Sequence, residues 1–168
     1  MGYLRKSKLS VLNYVCSNIR NIDRIEIKYQ TNEDPEEALR LSYLHSKTVM
    51  TVAGDDDQPM GICGVVAGGC IWLISTDELF SNKKYKIQLI REGRKWVDNL
   101  LKSYKILYNV VYAENEAAIK WLKSLGFNFF HNGIPRVAIK ALSKVLRCLC
   151  STILTNKSRQ FARHLVFE

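Results

Sequence analysis

The sequence predicts a mixed α/β domain with a mainly antiparallel central sheet, flanked by helices and carrying a β-α-β crossover near the C-terminus. Strand-like and helix-like segments alternate along most of the 168 residues. The pair Gly68-Gly69 separates two strand-like segments, as in a tight hairpin. A strand, a short helix and a second strand follow between Tyr108 and His131. This length favours one domain with a sizeable core.

The first half predicts a strand, two helices and a strand. Residues Gly2–Arg5 suit a short strand, and the spacing of apolar residues predicts a helix over Leu9–Asn21. A second helix begins after Asp34, because a proline and two glutamates suit the first turn of a helix. Residues Lys47–Ala53 read as a strand that ends in the turn "GDDDQP". Three adjacent aspartates rarely converge on one metal ion, so this segment is predicted to be a hairpin tip.

The middle of the chain predicts a hairpin followed by the longest helix. Strands are expected at Met60–Ala67 and Cys70–Ile74, and a helix at about Asn82–Tyr104. Lysines and arginines crowd the first half of that helix, which is unfavourable for its dipole.

The segment "YAENEAAIKWLKSLGF" supplies the crossover. Residues Tyr108–Tyr112 favour a strand, and Asn115 is a candidate N-cap. An apolar stripe follows at helical spacing, formed by Ala118, Ile119, Leu122 and Leu125. Gly126 suits the left-handed position that ends a helix, and Phe127–His131 returns to strand. Such units are more often scaffold than site.

The net charge of +9 is concentrated towards the C-terminus. Residues 136–168 carry seven Lys or Arg and one Glu, a net charge of +6. We therefore divide the chain into a domain over 1–135 and a basic extension over 136–168, packed on the same domain. An amphipathic helix is predicted over Arg136–Leu154, with "HLVFE" at the end as a candidate closing strand. The basic face is interpreted as solvated, with nucleic acid or a membrane surface as the alternatives.

The cysteines and the apolar segments indicate no secretion. Five cysteines without disulfide or zinc spacing read as reduced, mostly buried thiols. The N-terminus lacks the apolar core of a signal peptide, and the apolar run Gly61–Ile74 is shorter than a membrane span. The expected location is the cytoplasm.

Several motifs in order resemble a known family. The pattern N-x-x-A-I-x-x-L-x-x-L-G-F and the block "DDDQPMGICGVVAGGCIWLISTDEL" resemble the acyl-CoA N-acyltransferase (GNAT) fold. The motifs "IRNIDRIEI", "DPEEALRLSYLHS", "IWLISTDEL" and "WLKSLGF" more narrowly resemble the small GNAT-like proteins of short-tailed phages. That group includes an internal virion protein needed for particle assembly. The resemblance covers about Gly2–Asn132.

The resemblance implies where acetyl-CoA, the candidate cofactor, would bind. In the enzymes, the strand that matches Ile71–Ile74 splays from its neighbour and pairs with the pantetheine arm. The implied cofactor contacts are Leu73, Ile74, Ser75 and Asn115, with Lys83 and Lys84 as candidate phosphate contacts. No metal is expected.

Two departures from the enzymes bear on activity. The glycine-rich phosphate loop is replaced by "STDELFSNKKYK", which has no glycine and contains Asp77 and Glu78. The tyrosine that commonly protonates the thiolate matches Leu122, which cannot donate a proton. Tyr85 or a water are the candidate substitutes. Glu26 and Glu114 are candidate bases, although both are predicted to be surface carboxylates.

These observations favour one function and leave two alternatives. The favoured function is protein binding in phage virion morphogenesis, with virion proteins as partners and acyl transfer reduced or lost. The first alternative is an active acetyl-CoA-dependent N-acetyltransferase acting on an amine of a small molecule or protein. The second is a nucleic-acid binder, which only the positive charge suggests.

Overall fold

The computed structural model describes residues 3–130 and 136–141, and within them the chain forms helices and strands in alternation. The strands are β1 (Tyr3–Lys6), β2 (Ser46–Ala53), β3 (Pro59–Val66), β4 (Ile71–Ser75), β5 (Ile106–Val111), β6 (Asn128–Phe130) and β7 (Arg136–Ala141). The helices are α1 (Leu9–Ser17), α2 (Asn21–Thr31), α3 (Pro35–His45), α4 (Asp77–Ser81), α5 (Lys83–Leu100) and α6 (Glu116–Ser124). The predicted α/β class with a mainly antiparallel sheet is confirmed.

The strands form two sections that meet at one point. The first section has the order β1-β2-β3-β4 and the second β5-β7-β6, and each ladder within them is antiparallel. A parallel bridge between Cys70 and Tyr108 joins the sections. Just beyond the bridge, the side chain of Asn109 donates a hydrogen bond to the carbonyl of Ile71 at 2.7 Å. Beyond this point no ladder joins β4 to β5 among the described strands, and a cleft lies between them.

Several local predictions are confirmed by the backbone. Gly68 and Gly69 form the turn between β3 and β4, with φ angles of +85° and +92°. The side chain of Asn115 accepts a hydrogen bond from the Ala118 amide at 3.3 Å, and so caps α6. Gly126 follows α6 with a φ of +84°. The "GDDD" segment is a hairpin tip between β2 and β3, as expected.

Two predictions for the helices were wrong. The first helix ends at Ser17, and a separate helix, α2, occupies Asn21–Thr31, where none was predicted. No helix was predicted between β4 and α5, where the structure contains the short helix α4.

The C-terminal prediction was also wrong where the structure describes it. Residues Arg136–Ala141 form strand β7, not the start of a helix. This strand lies between β5 and β6, so the two strands of the crossover run parallel without pairing directly. Residues 136–141 therefore belong to the sheet. The rest of the predicted helix, the candidate closing strand and His131 lie outside the described residues, so a separate extension stays a prediction for residues 142–168.

Apolar side chains cover both faces of the first section. Ile62 packs with α1 and α3, while its neighbour Cys63 packs with α5 and α6, because successive strand residues face opposite sides. Cys16 and Cys63 are buried free thiols, as predicted for those two positions. Within the described part of the chain, every helix is too short or too polar to cross a membrane.

Candidate functional site

The cleft between β4 and β5 holds a cavity of about 140 Å³. Helix α2 forms one wall of it. Its apolar lining includes residues of β4, α4 and α6, namely Trp72, Leu73, Ile74, Phe80, Trp121 and Leu122. Its polar lining comes largely from α2 and the β5–α6 segment, namely Arg20, Asp23, Glu26, Gln30, Asn109 and Asn115.

The first turn of α2 is hydrogen-bonded to the free edge of β4. The amide of Arg20 donates to the carbonyl of Ser75 at 3.0 Å. The carboxylate of Asp23 accepts from the Ser75 amide at 3.2 Å and from the Ser75 hydroxyl at 3.4 Å. The start of α2 thus provides hydrogen-bond partners for both the amide and the carbonyl of Ser75, as a neighbouring strand would do in a continuous sheet.

The last turns of α2 are bonded to β5 on the other side of the cleft. The side-chain amide of Gln30 donates to the carbonyl of Val110 at 2.8 Å and to the carboxylate of Glu26 at 3.2 Å. Because α2 is bonded to both strands, it bridges the opening of the cleft.

A buried ion pair fixes the start of α2. The guanidinium of Arg20 donates to both carboxylate oxygens of Asp23, at 2.6 and 3.0 Å, and both side chains are buried. The same guanidinium lies 4.2 Å from the ring centroid of Phe80 in α4. A buried pair of this kind is sensitive to the loss of either partner.

Asn115 joins α2 to α6. While its side-chain oxygen caps α6, its side-chain nitrogen donates to Glu26 at 2.5 Å and to Asp23 at 3.2 Å. Asn115 is buried, so every polar atom of its side chain is used inside the protein.

Glu26 is the titratable group of this cluster that is most perturbed. Burial raises its pKa to about 7, and the nearby carboxylate of Asp23 acts in the same direction. Hydrogen bonds from Asn115 and from the main chain of Tyr112 oppose the shift only partly. Glu26 is half-buried and lines the cavity, so it is not the solvated surface carboxylate that was predicted. Glu114, by contrast, is exposed.

The structure brings four of the six predicted cofactor contacts to the cleft. Leu73 and Ile74 line the cavity, and Ser75 and Asn115 are bonded to α2 at its edge. Ile71 and Ser75 direct main-chain groups away from β3, towards Asn109 and α2. The amide and carbonyl groups of successive residues point to opposite sides of a strand. Leu73 lies two residues from both Ile71 and Ser75, so its amide and carbonyl also point away from β3, into the cleft.

The two predicted lysines lie elsewhere. Neither Lys83 nor Lys84 lines the cavity. Lys84 forms an ion pair with Asp55 of the β2–β3 hairpin at 2.7 Å, and Lys83 is exposed at the start of α5. The helix that follows β4 directly is α4, whose first turn carries Asp77 and Glu78.

The position that matches the proton-donating tyrosine of the enzymes lies inside the cavity wall. Leu122 is buried and lines the cavity. The hydroxyl of Tyr85, the candidate substitute, bonds to Asp55 at 3.2 Å, and Tyr85 does not line the cavity. Within the described residues, no group of three or more His, Cys, Asp or Glu is arranged to hold a metal ion.

A match to a family model shows which protein family the chain belongs to. Residues 48–133, just over half of the sequence, match the family described as "Bacteriophage T7, probable scaffold protein Gp13". The chain belongs to this family. The match runs from β2 to the end of β6, and so includes both strands of the cleft, whereas α2 lies before it.

Several solved structures that are similar to this chain are acetyltransferases. Aminoglycoside acetyltransferase AAC(6')-Ib in complex with coenzyme A is similar with a TM-score of 0.61 and 12% identity, over 88% of this chain and 98% of the other. Spermidine N-acetyltransferase from Vibrio cholerae in complex with CoA and spermine gives 0.57 and 19%, over 86% and 98%. A putative phosphinothricin N-acetyltransferase gives 0.58 and 12%, over 85% and 99%. These likenesses show the GNAT fold. A search of curated protein sequences finds no match.

The polar cluster around α2 was not predicted from the sequence, although one signal pointed to it. The cluster consists of Arg20, Asp23, Glu26 and Asn115. The segment "NIDRIEIKYQT" has Asp23 and Ile27 four residues apart, and both are buried in the structure. Three isoleucines within six residues look equally like a strand. The pairing of Asp23 and Glu26 with Asn115 spans about ninety residues and has no local signature.

Proposed function

We propose that this phage GNAT-fold protein acts in virion morphogenesis by binding other virion proteins, with acyl transfer reduced or lost. The observation that carries the proposal is the position of α2. Its hydrogen bonds to Ser75 occupy the edge of β4 that the resemblance assigns to the cofactor, and its hydrogen bond to Val110 holds it to β5 on the other side of the cleft. Membership of a family of phage scaffold proteins supports the assembly role.

The space left in the cleft supports the same proposal. Its volume of about 140 Å³ is below the range of about 300–1,000 Å³ that is usual for small-molecule sites. A pantetheine arm along β4 would have to displace α2. Displacement would break the bonds of Asp23 to Ser75 and Asn115, leaving buried polar groups without partners.

The electrostatics beyond β4 also disfavour a bound pyrophosphate. Asp77 and Glu78 occupy the first turn of α4, where a phosphate would otherwise find free amides and the positive end of the helix. Lys84 is already ion-paired with Asp55, and Lys83 is exposed at the start of α5, after α4.

The alternative function is an N-acetyltransferase that uses acetyl-CoA. Two observations favour it: the main chain of Leu73 faces the cleft, and Glu26, with a pKa of about 7, suits proton transfer from an amine. In this case α2 must move, and the cofactor contacts are Leu73, Ile74, Ser75, Lys83, Lys84 and Asn115. The expected location under either function is the host cytoplasm, with association with the virion under the first.

Calorimetric titration with acetyl-CoA and desulfo-CoA separates the two functions. We expect no heat of binding at millimolar ligand. A micromolar Kd, equivalent to roughly −8 kcal/mol, contradicts the proposal. In that event Lys83→Glu with Lys84→Glu should weaken binding, whereas the matched pair Lys102→Glu with Lys105→Glu, farther along the chain on exposed positions, should not.

Particle assembly tests the favoured function directly. A phage that lacks this protein should yield particles deficient in specific virion proteins by quantitative mass spectrometry. Supplying either the wild type or the Lys83→Glu, Lys84→Glu variant should restore them, because neither lysine is needed for protein binding under the proposal. Complete particles without the protein, or restoration that requires both lysines, would count against it.

A further inference from the structure

We propose that copies of this chain associate head to tail through two apolar patches whose rims carry opposite charge. Among the described residues, five large hydrophobic side chains are clearly exposed, namely Leu9, Ile25, Tyr29, Leu44 and Ile87. All except Ile87 fall in two patches on the helical layer of α1, α2 and α3. Such patches are typical of interaction surfaces. The inference goes beyond the proposed function and does not rest on it.

The first patch, called the tyrosine patch, consists of Ile25, Tyr29 and Tyr112. Ile25 and Tyr29 lie one turn apart on the outer face of α2 and are 44% and 54% exposed. The ring centroids of Tyr29 and Tyr112 are 5.3 Å apart, which joins α2 to the segment after β5. Exposed carboxylates flank the patch: Glu33 lies two residues after the end of α2, and Glu114 lies two residues after Tyr112, whose hydroxyl has a pKa raised by burial and by this carboxylate.

The rim of the tyrosine patch is negative overall. The connection into α3 adds three more acidic residues, Asp34, Glu36 and Glu37. Two cations oppose them. Arg24 is held by the carbonyls of Ile19 and Cys16 and by Glu36, while Lys28 is exposed in the last turn of α2.

The second patch lies where α1 begins and α3 ends. Asn13 accepts from Arg40 at 2.9 Å, and the thiol of Cys16 contacts the carbonyl of Glu36 at 3.9 Å. The later residue of α1 contacts the earlier residue of α3, so the two helices are antiparallel. The start of α1 therefore lies beside the end of α3.

Two leucines are exposed at this end and form the leucine patch. Leu9 is 63% exposed and Leu44 is 73% exposed. Their neighbours in sequence are the exposed cations Lys8 and Lys47 and the exposed His45. Within the described part of the chain, neither lysine forms an ion pair. The leucine patch thus has a positive rim, complementary to that of the tyrosine patch.

The geometry requires the two patches to meet between different copies. They flank opposite ends of α3, whose 11 residues span about 16 Å. A rigid helix of that length prevents one copy from joining its own patches. Contact between identical patches would bring like charges together, which disfavours a symmetric dimer. Each copy instead offers one patch of each kind, which gives a closed ring or an open chain.

The size of the patches sets the strength of the contact. A few side chains bury less than the roughly 800 Å² per partner of a stable interface, so association should be weak and concentration-dependent. Because the rims are exposed, added salt should weaken it further.

Analytical ultracentrifugation of the full chain tests the inference. The wild type should form species larger than a dimer as the concentration rises. Tyr29→Asp and Leu44→Asp each disable one patch, so each variant alone should stay monomeric. An equimolar mixture should form dimers and stop there, since only one functional contact remains per pair. Ile87→Asp is the matched control, because Ile87 is 55% exposed and lies outside both patches.

Charge reversal gives an independent test at exposed positions where folding is not in question. Glu33→Lys and Lys47→Glu should each weaken association, and the double variant should recover it. A wild type that stays monomeric at millimolar concentration overturns the inference. So does association that survives either Tyr29→Asp or Leu44→Asp, or that is lost in Ile87→Asp. Circular dichroism and thermal melting confirm that each variant is folded.

Discussion

The side chain of Asn115 donates a hydrogen bond to Glu26 over 2.5 Å and so ties the start of α6 to the middle of α2. The same amide group reaches Asp23, whose carboxylate holds the end of β4. Three elements that are distant in sequence therefore share one buried polar cluster. Because α2 bridges the cleft between β4 and β5, this cluster holds α2 in place across the cleft.

The raised pKa of Glu26 predicts a pH-dependent stability. The unfolded chain titrates near 4.5 and the folded protein near 7, so between these values the folded state binds more protons. The contribution of this carboxyl group to the free energy of unfolding is fully present below the unfolded pKa. It falls by up to about 3 kcal/mol as the pH rises from the unfolded to the folded pKa. Urea unfolding from pH 4.5 to 8 should show that Glu26→Gln loses this dependence and exceeds the wild type above pH 7.

Carboxylates with lowered pKa act in the opposite direction, so the two proteins must be compared at each pH. Asp55, Glu92 and Glu116 contribute stability that is lost as pH falls. Since both proteins contain them, the difference between wild type and Glu26→Gln isolates Glu26. A difference that does not change with pH would contradict the assignment.

Replacing Asn115 should destabilise the protein more than replacing an ordinary cap. Asn115→Ala removes the cap of α6 and the shared donor of Asp23 and Glu26, with an expected loss of about 2–3 kcal/mol. The matched control is Asn82→Ala, because Asn82 caps α5 on the surface by accepting from Lys84 at 2.9 Å. It should lose about 1 kcal/mol. Equal losses in urea unfolding would show that Asn115 acts as a cap alone.

Asp23 should matter for the closure of the cleft. Asp23→Ala leaves the guanidinium of Arg20 buried without its partner, at a cost of about 3–5 kcal/mol. Amide hydrogen exchange should accelerate across α2, because its bonds to Ser75 are lost. For comparison, Asp98→Ala breaks an exposed pair with Lys140 and should cost less than about 1 kcal/mol. Unchanged protection of α2 in Asp23→Ala would contradict its role in closure.

The two glycines of the β3–β4 turn should tolerate alanine differently. Both have positive φ, so alanine strains the backbone at either position by about 1 kcal/mol. A side chain at Gly68 meets open space, whereas one at Gly69 meets the carbonyl of Ile106. Gly69→Ala should therefore cost about 3 kcal/mol in thermal melting, since it pushes β5 away from the turn where the two sections of the sheet meet. Similar losses for both variants would exclude this close approach.

The structural features that were predicted correctly from the sequence are those determined by residues close together in the chain. The cap at Asn115, the glycine at 126 and the hairpin at Gly68-Gly69 follow from the conformational preferences of single residues, and the structure contains all three. Strand β7 was missed because the apolar residues that begin in "RVAIKA" continue beyond it at helical spacing. Whether such a segment becomes a strand depends on β5 and β6, which no local pattern records.

The candidate site was predicted only in part, for a related reason. The position of the cleft follows from strand order, and Leu73, Ile74, Ser75 and Asn115 lie along it. The helix that bridges the cleft, α2, ends about forty residues before β4 begins. Asp23 and Glu26 look like solvated charges in the sequence, and only their burial against Asn115 reveals another role.

The position of β7 has a consequence for the order in which the chain folds during synthesis. Strands β5 and β6 have no ladder with each other, and each is paired only to β7 among the described strands. During synthesis, neither strand can form its ladder hydrogen bonds until the chain has been made through residue 141. During that interval β5 and β6 both lack their ladder partner, and strands with free edges are prone to association with other chains. A nascent chain that pauses before β7 should consequently depend on chaperones more than one that pauses after it.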